Sequence, residues 1–168
     1  MPVTYVKIAA VTVGSGGAST MAFTSIPATY TDLSLKISSR YSGGGYGTDM
    51  NISLNGSTSG FSSRRIYAYG GTVYTDTQSN VSGVVNGTGS TSNTFSSNDL
   101  YFPEYAGSLN KSYIMDAVNE NNDTTAYLLE ISGNLWANTA AINAITIGLG
   151  SGTFAQYSTA TLYGIKKN

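Results

Sequence analysis

Asp116, Glu120 and Asp123 are the carboxylates whose spacing comes nearest to a working group, the last two inside the run Asn119-Glu120-Asn121-Asn122-Asp123. Two carboxylates can drive glycoside hydrolysis, one as acid and the other as base or nucleophile. The same oxygens could hold calcium, but the Asp/Asn alternation ending in glycine of an EF-hand loop is absent. The competing reading is a polar turn in which Asn and Asp bond their own backbone. Chain length favours the turn, because glycosidases usually sit on larger scaffolds rich in aromatic sugar platforms. Other hydrolytic chemistry is closed. There is no His and no Cys, hence no imidazole base, no thiolate, no disulfide framework and no ordinary zinc site. The expectation is a protein that is not an enzyme and holds no cofactor and no metal.

Recognition residues remain. Arg64-Arg65 is the only adjacent basic pair before Lys166-Lys167. Side chains alternate along a strand, so Arg64 and Arg65 point to opposite faces, one free to enter a subunit contact or guard an edge. The terminal lysines read as a solvated end. Tyr41, Tyr46, Tyr67, Tyr69 and Tyr74 crowd into one stretch. Tyrosine offers wide contact area with a polar tip, which suits a protein interface or a glycan; the alternative is that several line the core. Gly14-Ser15-Gly16-Gly17 and Gly43-Gly44-Gly45 lack the lysine and the following helix of a phosphate loop, so they read as turns. The Asn-x-Ser/Thr triplets are what chance supplies in so Asn-, Ser- and Thr-rich a chain.

These side chains need a scaffold, and the dominant period is two. Leu33, Leu35 and Ile37 alternate with Ser34, Lys36 and Ser38; Ile52 and Leu54 with Asn51, Ser53 and Asn55; Ile145, Ile147 and Leu149 with Thr146 and Gly148. Such alternation sends one set inward and the other outward. Strands are predicted near 3–13, 19–26, 32–39, 49–54, 63–69, 98–103, 111–119, 125–136, 142–149 and 154–165. Asn55-Gly56 signals a hairpin because both residues tolerate positive φ, and Pro27 ends a strand because it cannot donate to a ladder. Residues 136–142 are too short to stand as a helix and read equally as a loop crossing. Two stretches break the rhythm. One is the Gly-rich loop Tyr41–Asp49. The other is residues 70–97, a long polar insertion that is either a functional loop or a pair of weak edge strands.

The sum is an all-β chain: an antiparallel β-sandwich of jelly-roll type in a single domain of 168 residues. Charged residues make up 10%, with eight basic against nine acidic. That leaves too few cations to neutralise nucleic-acid phosphates. No apolar run reaches the ~18–20 residues of a membrane helix. The first seven residues show no basic segment leading into an apolar one, so no signal peptide is expected.

Four segments carry a resemblance: Val11–Ser19 (VTVGSGGAS), Phe23–Arg40 (FTSIPATYTDLSLKISSR), Leu54–Thr58 (LNGST) and Phe154–Lys167 (FAQYSTATLYGIKK). Together the chain resembles short, stand-alone virion proteins of tailed bacteriophages, especially phages of cyanobacteria and other aquatic bacteria. The resemblance implies a β-sandwich on the assembled particle, with no catalytic residues to carry across. It implies localisation in the virion, assembled in the host cytoplasm, and the major capsid protein or other virion subunits as partners. Met1–Val13 opens straight into a strand, with no collagen-like or coiled-coil shaft. The expectation is therefore a compact capsid decoration or cement protein, a homo-oligomer (trimer or dimer) bridging capsid subunits. The alternative is a head- or tail-fibre tip whose Tyr-rich 41–74 region faces a host glycan.

Overall fold

Thr, Ser and Tyr interleaved with Leu, Ile and Met favour extended chain, and in the computed structural model twelve strands form. The structure describes residues 4–122 and 128–166, apart from the side chains of 81 and 82. Asp123, Lys167 and the strand positions predicted at 3 and 125–127 lie outside the described residues. The strands are β1 (Thr4–Thr12), β2 (Thr20–Phe23), β3 (Asp32–Ser39), β4 (Gly47–Leu54), β5 (Phe61–Tyr69), β6 (Thr72–Gln78), β7 (Val81–Asn86), β8 (Ser96–Phe102), β9 (Lys111–Asn119), β10 (Leu128–Trp136), β11 (Ile145–Leu149) and β12 (Thr159–Lys166).

Two sheets face each other. The larger has the order β1-β12-β3-β8-β9-β10-β5-β6 and the smaller β2-β11-β4-β7, with every strand pairing antiparallel. Within them lies a jelly roll: β1-β12-β3-β8 stacks against β2-β11-β4-β7, the chain crossing between sheets as two interlocked Greek keys do. Two insertions depart from it. The hairpin β5–β6, between β4 and β7, and the pair β9–β10, between β8 and β11, add four strands to one edge of the larger sheet. That sheet is twice as wide as its partner.

One apolar cluster fills the space between the stacked halves. Leu33, Leu35, Leu100, Met115 and Leu162 come from the larger sheet, and Met21, Met50, Ile52, Leu54, Ile145 and Ile147 from the smaller; all are buried. Each such side chain contributes roughly 1.5–3 kcal/mol on burial. Trp136 closes one end, stacked on Phe61 with ring centroids 6.0 Å apart.

Residues 70–97 are not a long loop. They contain β6 and β7, and the remaining turn is held by Arg40, whose guanidinium donates to the carbonyls of Thr94 (2.8 Å), Thr91 (3.0 Å) and Ser90 (3.2 Å). β6 escapes a periodicity search because most of its side chains are exposed, and β7 because its consecutive residues 83–86 are all buried, Val85 within the core. The turn that makes the β5–β6 hairpin is nevertheless written in Gly70-Gly71, which have φ of 55° and 81°, the paired left-handed geometry of a two-residue hairpin turn. Asn55-Gly56 behaves differently from expectation. The tight turn forms, with φ of 53° and 77° and reciprocal Leu54–Ser57 backbone bonds of 3.2 and 2.9 Å. No hairpin follows, because β5 leaves for the other sheet. Asn55 Oδ1 instead accepts from the amides of Asn143 (2.8 Å) and Ala144 (3.1 Å), fixing the approach to β11.

Leu100→Ala removes a fully buried side chain midway along β8 and is expected to cost about 2–5 kcal/mol in urea unfolding.

Candidate functional site

The overhang is where recognition chemistry collects. From the smaller sheet β7 packs on β8 and β9 and touches β10, and Gly47–Asp49 of β4 line a groove together with Tyr69, Asn119 and Leu128. The two faces of β9-β10-β5-β6 differ.

On the inward side, register places Ala117, Glu130, Tyr67 and Tyr74 in one row and Met115, Ser132, Arg65 and Asp76 in the next. Arg65 holds Asp76 with two bonds, Nε to Oδ1 at 2.6 Å and a terminal nitrogen to Oδ2 at 3.0 Å. Its other terminal nitrogen lies 3.4 Å from Glu130 Oε2. The guanidinium also sits 4.7 Å from the Tyr67 ring centre, and Tyr67 stacks on Tyr74 at 5.3 Å. Gln78 donates to Asp76 at 3.0 Å. A bidentate Arg–carboxylate pair backed by a stacked tyrosine is rigid, polar and planar. Beside it a groove of about 480 Å³ is lined by residues including Tyr46, Asp49, Tyr69, Asn119 and Leu128.

Glu130 is 0% exposed, and its Oε1 has no hydrogen-bond partner. Burial pushes its carboxyl up to about 7; Arg65 opposes the rise and Asp49 adds to it. Asp76, bonded by Arg65, is held below the usual carboxylate range. Sequence reading missed Glu130. It lies between Leu129 and Ile131, where alternation would have sent the acid outward.

On the outward side three rows cross the larger sheet. Tyr163, Ser34, Tyr101, Ile114, Gly133, Arg64 and Thr77 form the first; Thr161, Lys36, Asp99, Asp116, Ile131, Ile66 and Thr75 the second; Thr159, Ser38, Ser97, Val118, Leu129, Ala68 and Val73 the third. The rows change character at β9. Over β12, β3 and β8 they are Thr, Ser, two tyrosines and a Lys36–Asp99 ion pair. Over β9, β10, β5 and β6 large apolar side chains predominate, with Ile66, Val73, Ile114, Leu129 and Ile131 exposed by 49%, 64%, 54%, 52% and 51%, set among Arg64, Asp116, Thr75 and Thr77. A hollow of about 870 Å³ takes in Gly133 and is lined by residues including Tyr101, Ile114, Arg64 and Thr77; a Cβ at Gly133 would meet nothing within 4 Å.

The expected site residues separate accordingly. Tyr67, Tyr74 and Arg65 meet on the inward face, with Tyr46 and Tyr69 at the neighbouring groove. Arg64 stands alone among them on the outward face, as strand alternation requires. Tyr41 differs from expectation: it is buried and donates its hydroxyl to the Gly44 carbonyl, so its ring is not offered at the surface. The Gly-rich loop exists to wrap it, since a Cβ at Gly43 or Gly87 would strike its ring. Gly14-Ser15-Gly16-Gly17 is a turn, closed by a 3.1 Å bond from Gly17 N to Gly14 O. Asp116 lies outward between Asp99 and Ile131. Glu120 spends its carboxylate on the amides of Asn121 (3.0 Å) and Asn122 (2.8 Å), a local polar turn. Lys166 lies 5.6 Å from the Tyr30 ring centre.

Among solved structures the chain is similar to a galectin, LEC-6, from Caenorhabditis elegans. Identity is 6% and the TM-score 0.34, over 94% of this chain and 96% of the galectin. It is also similar to a fructofuranosidase from Schwanniomyces occidentalis complexed with fructosylnystose. There identity is 10% and the TM-score 0.24, over 98% of this chain but 33% of that one. Neither likeness bears on the site, and the sandwich rests on the strand pairing itself. No protein-family model matches the chain, and no curated protein matches it.

Glu130 gives the fold a pH dependence with a definite sign. Its folded value of about 7 exceeds the ordinary 4.5, so the folded state binds the extra proton. Stability is full below about pH 4.5 and falls as pH rises toward about 7, by on the order of 2–3 kcal/mol. Urea midpoints for Glu130→Gln should stay flat across that window while the wild type declines.

Proposed function

We propose that this protein is a non-enzymatic virion structural component, a capsid decoration or cement protein that bridges capsid subunits and needs no cofactor. The observation that carries this reading is the inverted polarity of the overhang. Leu129 and Ile131 face solvent while Glu130, Ser132 and Asn134 are buried. A monomer built only to be soluble would place them the other way round. Contiguous exposed apolar surface marks protein contact, and here it belongs to neighbouring virion subunits: the major capsid protein, other virion proteins, or further copies of this chain. The resemblance of Val11–Ser19, Phe23–Arg40, Leu54–Thr58 and Phe154–Lys167 to phage virion proteins supports the same reading.

The test is reconstitution on particles that lack the protein. Ordered density on the capsid lattice is expected, and Ile131→Asp should reduce occupancy by ~10-fold or more. Failure to bind the capsid under any condition would overturn the assignment.

A second reading, a head- or tail-fibre tip that binds a host glycan, is favoured by one arrangement: the Tyr67–Tyr74 stack beside the Arg65–Asp76–Gln78 network. Aromatic faces next to fixed planar polar groups suit sugar rings and hydroxyls. On a glycan array, Tyr74→Ala should then weaken binding ~10-fold, and decoration of tail tips alone would replace the first reading with this one.

A further inference from the structure

We propose that the apolar half of the outward face is occupied by a second copy of this chain, packed sheet on sheet about a twofold axis that runs along the strands between β10 and β5. The inference rests on reading that half as a protein-contact surface, and it names the partner and the register.

Aligned packing keeps the strands of facing sheets within about 30° of each other. A twofold in the interface plane is therefore close to parallel or close to perpendicular to the strands. The perpendicular axis sets each strand against its own copy, so Asp116 meets Asp116 within an apolar contact, and like charges there cost several kcal/mol. The parallel axis sets β10 against the partner's β5 and β9 against the partner's β6, row on row.

The side chains then complement one another in size. Leu129 faces Ala68, and Ile131 faces Ile66. Arg64 comes down over Gly133, into the hollow described above. Each contact occurs twice, as an isologous interface requires.

Charges agree as well. Asp116 faces the hydroxyl of Thr75 in the other copy. Arg64, seated over Gly133, lies one strand and one row from Asp116, and diagonal neighbours on a sheet are ~7–8 Å apart. An arginine side chain spans that gap, so each copy's Arg64 pairs with the other copy's Asp116. Within one chain the two are kept apart by β10, so this pairing exists only in the dimer. Four strands ~4.8 Å apart and three rows ~6.8 Å apart give a footprint on the order of 400 Å² per copy, about half that of a standard specific interface, so the contact is weak and reversible.

Sedimentation of the purified full chain over about 1–200 µM should show a reversible monomer–dimer equilibrium. Ile131→Asp should weaken it at least ~100-fold with an unchanged circular dichroism spectrum. Arg64→Glu should weaken it ~10-fold, and Arg64→Glu combined with Asp116→Arg should recover most of that loss. Because the chain has no cysteine, register is read directly: mixed Val118→Cys and Val73→Cys proteins should form a disulfide-linked heterodimer, and neither alone should cross-link. A wild type that stays monomeric throughout overturns the inference, as does cross-linking of Val118→Cys with itself. The structural role is judged separately: a monomer that still occupies the capsid lattice refutes the dimer alone, and a dimer that never binds particles refutes the role alone.

Discussion

A wide sheet laid on a narrow one governs this structure. Burial of apolar side chains drives folding, but β2-β11-β4-β7 has half as many strands as the sheet it faces. The hairpin β5–β6 at the sheet's edge receives its backbone hydrogen bonds with few buried apolar side chains of its own. What lies on its two faces is decided by other forces. The inward face is filled by a polar network around Arg65, and the apolar side chains are displaced outward. The hydrogen-bond ladder thus carries strands past the limit of the core and leaves apolar side chains exposed on them.

The buried part of the inward face is consistent with that origin. Glu130 is fully enclosed beside Arg65, which is itself committed to Asp76. Removing charges from water is costly and their mutual attraction only partly offsets it, so the arrangement is not a source of stability at neutral pH. It does fix the orientation of the Tyr67–Tyr74 stack and of the β5–β6 hairpin. Order is maintained by geometry rather than by hydrophobic packing, which is what a presented surface requires.

Much of the sandwich was legible in the sequence, because over the jelly roll the period of two coincides with the two environments. Leu33, Leu35 and Ile37 point into the core, and Lys36 and Ser38 point out. The period fails where the second environment is not water, or where neither is a core. In β6 the run Thr72–Gln78 contains only Val73 and Tyr74 as large apolar groups, one on each face, so no pattern survives; the Gly70-Gly71 turn was the usable signal. In β10 alternation is present but inverted, and one chain's sequence cannot distinguish an apolar stripe meant for its own core from one meant for a neighbour. Tyrosines posed the same problem. Tyr41 and Tyr74 look alike in sequence, yet the glycines packed around Tyr41 bury it while the sheet edge leaves Tyr74 open. Arg64 and Arg65 were separable, because strand geometry alone divides adjacent residues between faces.

The central claim is that Ile66, Leu129 and Ile131 are solvent-facing in the isolated chain and buried in the working assembly. Hydroxyl-radical footprinting of the dilute protein against the assembled, particle-bound protein measures this side chain by side chain. The account predicts strong protection of those three residues on assembly, with Tyr163, on the polar half of the same face, labelled equally in both states. Equal labelling of Ile66, Leu129 and Ile131 in the two states would contradict it.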